Sequence, residues 1–161
     1  MNQRNILRFA LALASSAVIV LTGAEASAQL PSQPSLHGAW RVTRQGVNCQ
    51  TGQVLSTFPA IMVFHQGGTY TGYGVPPGGD PAQGTEWGVW QRTAGNQTYS
   101  FRFVSNTYTA NGVFDGRVEG TGAVQLTSAN SFTYTATIRF FNAGGTLLFT
   151  ACGRATGTRF E

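Results

Sequence analysis

Side chains that could move a proton, bind a metal or attack a substrate are few: His37, His65, Asp80, Glu86, Asp115, Glu119 and five tyrosines. Four candidates, His65, Tyr73, Asp80 and Glu86, flank one long loop and are expected to form the polar part of a ligand mouth. Acid or base work there would require hydrogen-bond reach to a substrate. His65 also reads as a solvated residue ending its strand at Gly67-Gly68, and His37 as a turn or rim residue. Two histidines so far apart, without a placed carboxylate, make a poor metal site, so neither a metal nor a cofactor is expected. The chain contains no H-E-x-x-H, no G-x-S-x-G and no glycine-rich phosphate loop between a strand and a helix. Asp115, Arg117 and Glu119 lie two residues apart on one face and read as a solvated outer ladder.

Apolar residues carry more information. Phe64, Phe101, Phe103, Phe114, Tyr134, Ile138, Phe140 and Phe149 are candidates for an interior face. All of these except Phe114 are taken as the wall of a ligand site. The elements that must position them are strands. Segments rich in Val, Ile, Thr, Phe and Tyr run at about 38–47, 58–65, 69–74, 86–93, 97–109, 112–127, 131–142 and 145–157. They are separated by Gln66-Gly67-Gly68, Ala94-Gly95-Asn96, Ala110-Asn111-Gly112, Ser128-Ala129-Asn130 and Asn142-Ala143-Gly144-Gly145, residues suited to tight hairpins. In Phe132-Thr133-Tyr134-Thr135-Ala136-Thr137-Ile138-Arg139-Phe140, large or apolar groups alternate with Thr and Arg, so one face is buried and the other wet.

No mature segment carries apolar residues at helical spacing over three turns, and the turns leave no room for crossover helices. The fold class predicted is all-β: an eight-stranded antiparallel up-and-down β-barrel, closed on its apolar face. A two-sheet sandwich would need longer crossings than these turns provide. An interior of eight strands is either just filled by side chains or holds one small ligand, and both outcomes remain open. The long connection, residues 75–85, is dense in proline and glycine and reads as an irregular loop, either a lid or a surface excursion.

Arg4 and Arg8, the apolar stretch Phe9 to Leu21 and the closing Ala26-Ser27-Ala28 have the pattern of a secretory signal peptide over residues 1–28. A lead over 29–37 and one barrel domain over 38–161 are expected to follow, with no membrane span in the mature chain. Removing Arg4, Arg8 and Glu25 from the ten basic and six acidic residues leaves a formal charge of +3, carried by arginines scattered singly. Nucleic acid is not expected as a partner, because its basic footprint is missing. Cys49 and Cys152 are expected to form a disulfide in an oxidising compartment, periplasmic or extracellular. Oligomeric state is not encoded in any feature of this kind.

Gly38-Ala39-Trp40 opens the first strand, and a G-x-W at that place in an eight-stranded meander resembles the calycin superfamily, which includes lipocalins, fatty-acid-binding proteins and avidins. The resemblance implies that Trp40 closes one end of the barrel beneath an arginine from the last strand. If Cys49 and Cys152 sit opposite each other, Val42 faces Arg159, and Arg159 lies diagonally beside Trp40. That makes Arg159, rather than Arg154, the expected cover. The chain departs from lipocalins in its short hairpins and missing helices, and from avidins in lacking tryptophans in its last four strands. It is also similar to allene oxide cyclases in being a barrel of this kind, which brings an isomerase or cyclase into view.

Three functions follow as expectations. The first is a binding module taking a small apolar molecule. The second is an isomerase- or cyclase-type enzyme acting on a lipid-like or polyketide-like substrate. The third is a structural or inhibitory barrel with a filled core. An apolar cavity would favour the first, a buried charge facing a cavity the second, and a filled interior the third.

Overall fold

The computed structural model describes residues 35–74 and 84–160. The segment read as a signal peptide and most of the long loop, Asp80 included, lie outside the described residues. Within them the chain forms eight strands: β1 (Gly38–Val47), β2 (Val54–Phe64), β3 (Thr69–Gly74), β4 (Glu86–Ala94), β5 (Thr98–Tyr108), β6 (Phe114–Ser128), β7 (Ser131–Asn142) and β8 (Leu147–Arg159). Each pairs antiparallel with the next in sequence, and β8 returns to β1, closing the barrel. β2 starts several residues earlier than its composition suggested. Its extra residues pair only with β1, as does Pro59, which lies before the first residue paired with β3, as suits a residue without an N–H.

The strand period sets the interior. Trp40, Val42 and Arg44 of β1 point inward, as do Tyr99, Phe101 and Phe103 of β5 and Phe132, Tyr134 and Ala136 of β7, all buried. Rings this large fit because glycines stand opposite them. Phe103 pairs with Gly120, Phe101 with Gly122 and Phe132 with Gly157, and a β-carbon at any of these glycines would run into the facing ring. Glycine inside a strand commonly marks such a close approach.

Helically staggered pairing gives the barrel two unlike halves. In the lower half, Trp40 meets Phe132 edge-on at 4.9 Å, and Phe64 packs edge-on against Phe132, Phe101 and Trp90 at 5.9 to 6.4 Å between ring centroids. Leu36 tucks under Trp40, whose indole N–H donates to the Leu36 carbonyl at 2.9 Å. Arg159 lies over the indole, 4.2 Å from its ring, and donates to the carbonyls of Ser35, His37 and Ala129. Gly38 makes this closure possible. Its φ of +126° turns the lead into β1, and a β-carbon there would collide with the Arg159 guanidinium.

The upper half ends in a rim that carries the turns following β1, β5 and β7. Leu55, Val113, Phe114, Leu148 and Phe149 stand exposed around it. β3, with six residues, is the shortest of the described strands.

The Cys49–Cys152 disulfide is formed, across a sequence separation of 103. The cysteines are not cross-strand partners, however. Val47 pairs with Cys152, and Cys49 reaches the bond from the turn beyond the end of β1. The register therefore slides by two residues from the expectation, and Arg159 pairs with Trp40 itself while Val42 faces Gly157. Replacing Cys49 with Ser is expected to destabilise the oxidised protein by roughly 2 to 4 kcal/mol, because the bridge restricts a long loop in the unfolded chain. Denaturation with and without reductant checks this, and equal midpoints would show that the bridge contributes nothing.

Candidate functional site

Between the packed aromatic half and the open rim lies a cavity of about 210 Å³. Phe103 of β5, Val118 of β6, and Ile138 and Phe140 of β7 give it apolar walls, while Arg44, Glu86 and Tyr134 give it polar ones. A larger groove of about 550 Å³ runs over the outer face of the barrel past Thr43, Thr133, Thr135, Arg154 and Thr156. Threonines and glutamines, residue types normal for the wet side of a sheet, make up much of its lining, and no buried charge lines it among the described residues.

Two members of the polar wall, Arg44 and Glu86, belong to a network of three side chains from three strands, completed by Tyr70. Arg44 meets Glu86 in a two-pronged ion pair, Nη1 to Oε1 at 2.5 Å and Nη2 to Oε2 at 2.8 Å. Tyr70 joins both: its hydroxyl accepts from Arg44 Nη2 at 3.0 Å and donates to Glu86 Oε2 at 2.6 Å. All three are buried, Glu86 to 2% exposure and Arg44 to 8%. Gly72, paired with Glu86, leaves the room the network needs, since a β-carbon there would strike both the Tyr70 hydroxyl and the Glu86 carboxylate. Two opposite charges can be buried together only if they are paired and hydrogen-bonded. This pair meets that condition with one exception: Arg44 Nε is buried without a hydrogen-bond partner among the described residues.

Burial by itself would lower the Arg44 pKa, but the hydrogen bonds and negative charge of Glu86 outweigh it and raise the guanidinium above its ordinary value. Burial pushes the Tyr134 phenol up to about 12, with Arg44 opposing and Glu86 adding to the shift. Burial also holds Tyr70 well above its usual range, reinforced by Glu86. At neutral pH the wall therefore presents a permanent cation and the protonated Tyr134 phenol, with the protonated Tyr70 buried beside the ion pair.

A phenol in the unfolded chain titrates near ~10, so the unfolded state gives up these protons first as pH rises. Their contribution is present below about pH 10 and is lost as pH rises above it, up to about 12 for Tyr134, at up to about 1.4 kcal/mol per pH unit for each tyrosine. Urea midpoints at pH 9 and 11 measure the loss. Tyr134→Phe is expected to reduce it, and an identical profile for the variant would show that Tyr134 does not couple to folding.

Of the seven residues expected to line a ligand site, Phe103, Tyr134, Ile138 and Phe140 line this cavity. Phe64 and Phe101 belong to the packed half below it. Phe149 is not in the interior: it is 54% exposed at the rim, stacked on its cross-strand partner Phe140 at 4.3 Å. Phe114 is also exposed, because it lies beyond the bulge between Thr107 and Tyr108, at the start of β6.

The four polar mouth candidates do not come together. His65 lies past the last residue of β2, at the closed end, hydrogen-bonded to Thr71. Tyr73 faces outward from β3 and is half exposed. Asp80 is outside the described residues. Glu86 alone reaches the cavity, and it does so from inside the barrel. Arg44 and Tyr70 were missed, although Arg44 shares the inward parity of Trp40 and Val42. Among the described residues Asp115 joins no ion pair, whereas Glu119 binds Arg117 and Arg139, each at 2.8 Å.

No family model and no curated protein matches the chain. Among solved structures it is similar to a redesigned β-barrel, mFAP1, bound to DFHBI, at 17% identity and a TM-score of 0.45, over 77% of this chain and 94% of that one. It is also similar to the S-type phycobiliprotein lyase CPES from Guillardia theta, at 10% identity and a TM-score of 0.42, over 78% of this chain and 89% of that one.

Proposed function

We propose that the protein is an exported, calycin-like barrel that binds a small, largely apolar molecule in the open half of its interior. The cavity carries this reading: about 210 Å³ remain between Phe103, Val118, Ile138 and Phe140 after the lower half has been filled by rings. The calycin comparison is supported by Gly38 and Trp40 lying beneath Arg159 at the closed end. Export is supported by the disulfide, a bond that persists in oxidising compartments, and by the leader-like pattern of residues 1–28.

Native mass spectrometry of the protein recovered from its own periplasm tests the reading. A retained small apolar mass is the expected result. An apo mass, together with no binding of small aromatic probes, would overturn it and favour a structural barrel.

One observation favours the enzymatic alternative, namely the ion pair facing the cavity. Against it, both oxygens of Glu86 already accept hydrogen bonds, and Tyr134 holds its proton up to about pH 12, far from the neutral range in which a general acid or base works best.

A further inference from the structure

We infer that the rim of the barrel is a docking surface for an anionic lipid bilayer, on which the protein sits with its cavity end toward the lipid. The two ends of the barrel differ in composition. The turns at the closed end, residues 65–68, 95–97 and 129–130, contain no large apolar residue. Those at the rim are flanked by such residues: Leu55 lies at the start of β2, Val113 and Phe114 lead into β6, and Leu147, Leu148 and Phe149 open β8, all exposed. One residue beside each turn, Leu55, Val113 and Leu148, is 60 to 67% exposed. Single exposed apolar side chains are ordinary, but a group of them gathered at one end of a barrel marks a contact surface. The inference stands beside the binding reading and requires no ligand in the cavity.

Charge identifies the occupant. Residues 47–55, 108–114 and 142–149 contain no Asp, Glu, Lys or Arg, so no ionised side chain of these turns has to leave water when the rim enters the boundary between headgroups and acyl chains. Set back from the turns, Glu119 binds both Arg117 and Arg139, and with Asp115 these four charges balance. Arg44 and Glu86 balance inside the barrel. In residues 29–161 that leaves Arg41, Arg92, Arg102, Arg154 and Arg159 against Asp80 and Glu161, a net charge of +3. A second copy of the barrel would bring one positive body against another, whereas an anionic bilayer attracts it. A fluid bilayer also receives three separate turns without the close shape match that a protein partner has to supply. Apolar insertion and electrostatic attraction are the two contributions that add up in surface binding of this kind.

Co-sedimentation with vesicles tests the inference. The oxidised protein recovered from the periplasm is mixed at low salt and neutral pH with vesicles of equal parts phosphatidylglycerol and phosphatidylethanolamine, and with vesicles of phosphatidylcholine alone. It is expected to sediment with the anionic vesicles and to bind phosphatidylcholine about fivefold more weakly, the value of roughly one arginine near an anionic surface. Added salt should narrow that difference. Leu55→Gln, Val113→Gln and Leu148→Gln leave the net charge unchanged and lie at positions already in solvent. Each is expected to melt as the native protein does and to partition about tenfold more weakly, the value of one large apolar side chain withdrawn from water. No sedimentation with anionic vesicles overturns the inference, as does equal binding to the two compositions. Binding that all three variants retain at full strength also overturns it, because another part of the chain then makes the contact. A dimer that Leu148→Gln disperses, without vesicle binding, assigns the rim to a second copy instead. None of these outcomes decides the binding reading, whose test is the retained apolar mass.

Discussion

Replacing Glu86 with alanine is expected to destabilise the protein by about 3 to 5 kcal/mol, because it leaves the Arg44 charge buried with only Tyr70 against it. It removes several compensating contacts at once: two hydrogen bonds to Arg44, one to Tyr70 and the whole counter-charge. Urea unfolding at neutral pH measures it. The pair's own net value is a separate quantity, since bringing two ions out of water costs nearly as much as their attraction returns. Arg44→Met combined with Glu86→Leu should therefore recover most of the loss. A double variant as unstable as Glu86→Ala would show that the network sets the packing of β1 against β4 in some way charge cancellation does not describe. A loss under about 1 kcal/mol for Glu86→Ala would place the Arg44 guanidinium in water.

Trp40→Ala is expected to cost a similar ~3 to 5 kcal/mol through the cavity it leaves. Trp40 has no exposed surface, contacts Phe132 edge-on, supports Arg159 on its face and ties down Leu36 through its N–H. Trp40→Phe keeps much of the packing but frees the Leu36 carbonyl, so it should lose less than the alanine variant. The cavity lies in the other half of the barrel, so a Trp40→Phe protein that remains folded should bind ligand normally. A loss below 1 kcal/mol for Trp40→Ala would show that the closed end contributes little to the core.

Much of the fold was legible because its signals are local. Alternation along residues 132–140 and glycine or asparagine at each short turn specify strands and hairpins without reference to the rest of the chain. Eight strands in one meander then leave closure as the way to hide the apolar face. The register across the closing seam was not legible, because the disulfide suggested opposite partners and the bond in fact reaches diagonally from a turn.

Parity also says which face a residue occupies but nothing about its height. Phe103 and Phe149 share the inward face of their strands, yet one is buried and the other stands in solvent at the rim. Arg44 was legible in principle. An arginine on the same face as a buried tryptophan and valine must find a carboxylate inside, and Glu86, at the head of β4, supplies it. Which acid it would find depends on strand stagger, a property of the closed barrel and not of any one segment.

The seam between β1 and β8 has a consequence for how the chain reaches this state. Seven of the eight strand pairs join neighbours in sequence and can zip from their turns, whereas the eighth brings together segments about a hundred residues apart. That contact bears the largest loop-closure entropy in the molecule and forms once the meander has curled. The seam is fastened at both ends, by the disulfide near the rim and by Arg159 at the base. An escape from the native state by peeling β1 from β8 must therefore break a covalent bond at one end or release a buried tryptophan at the other.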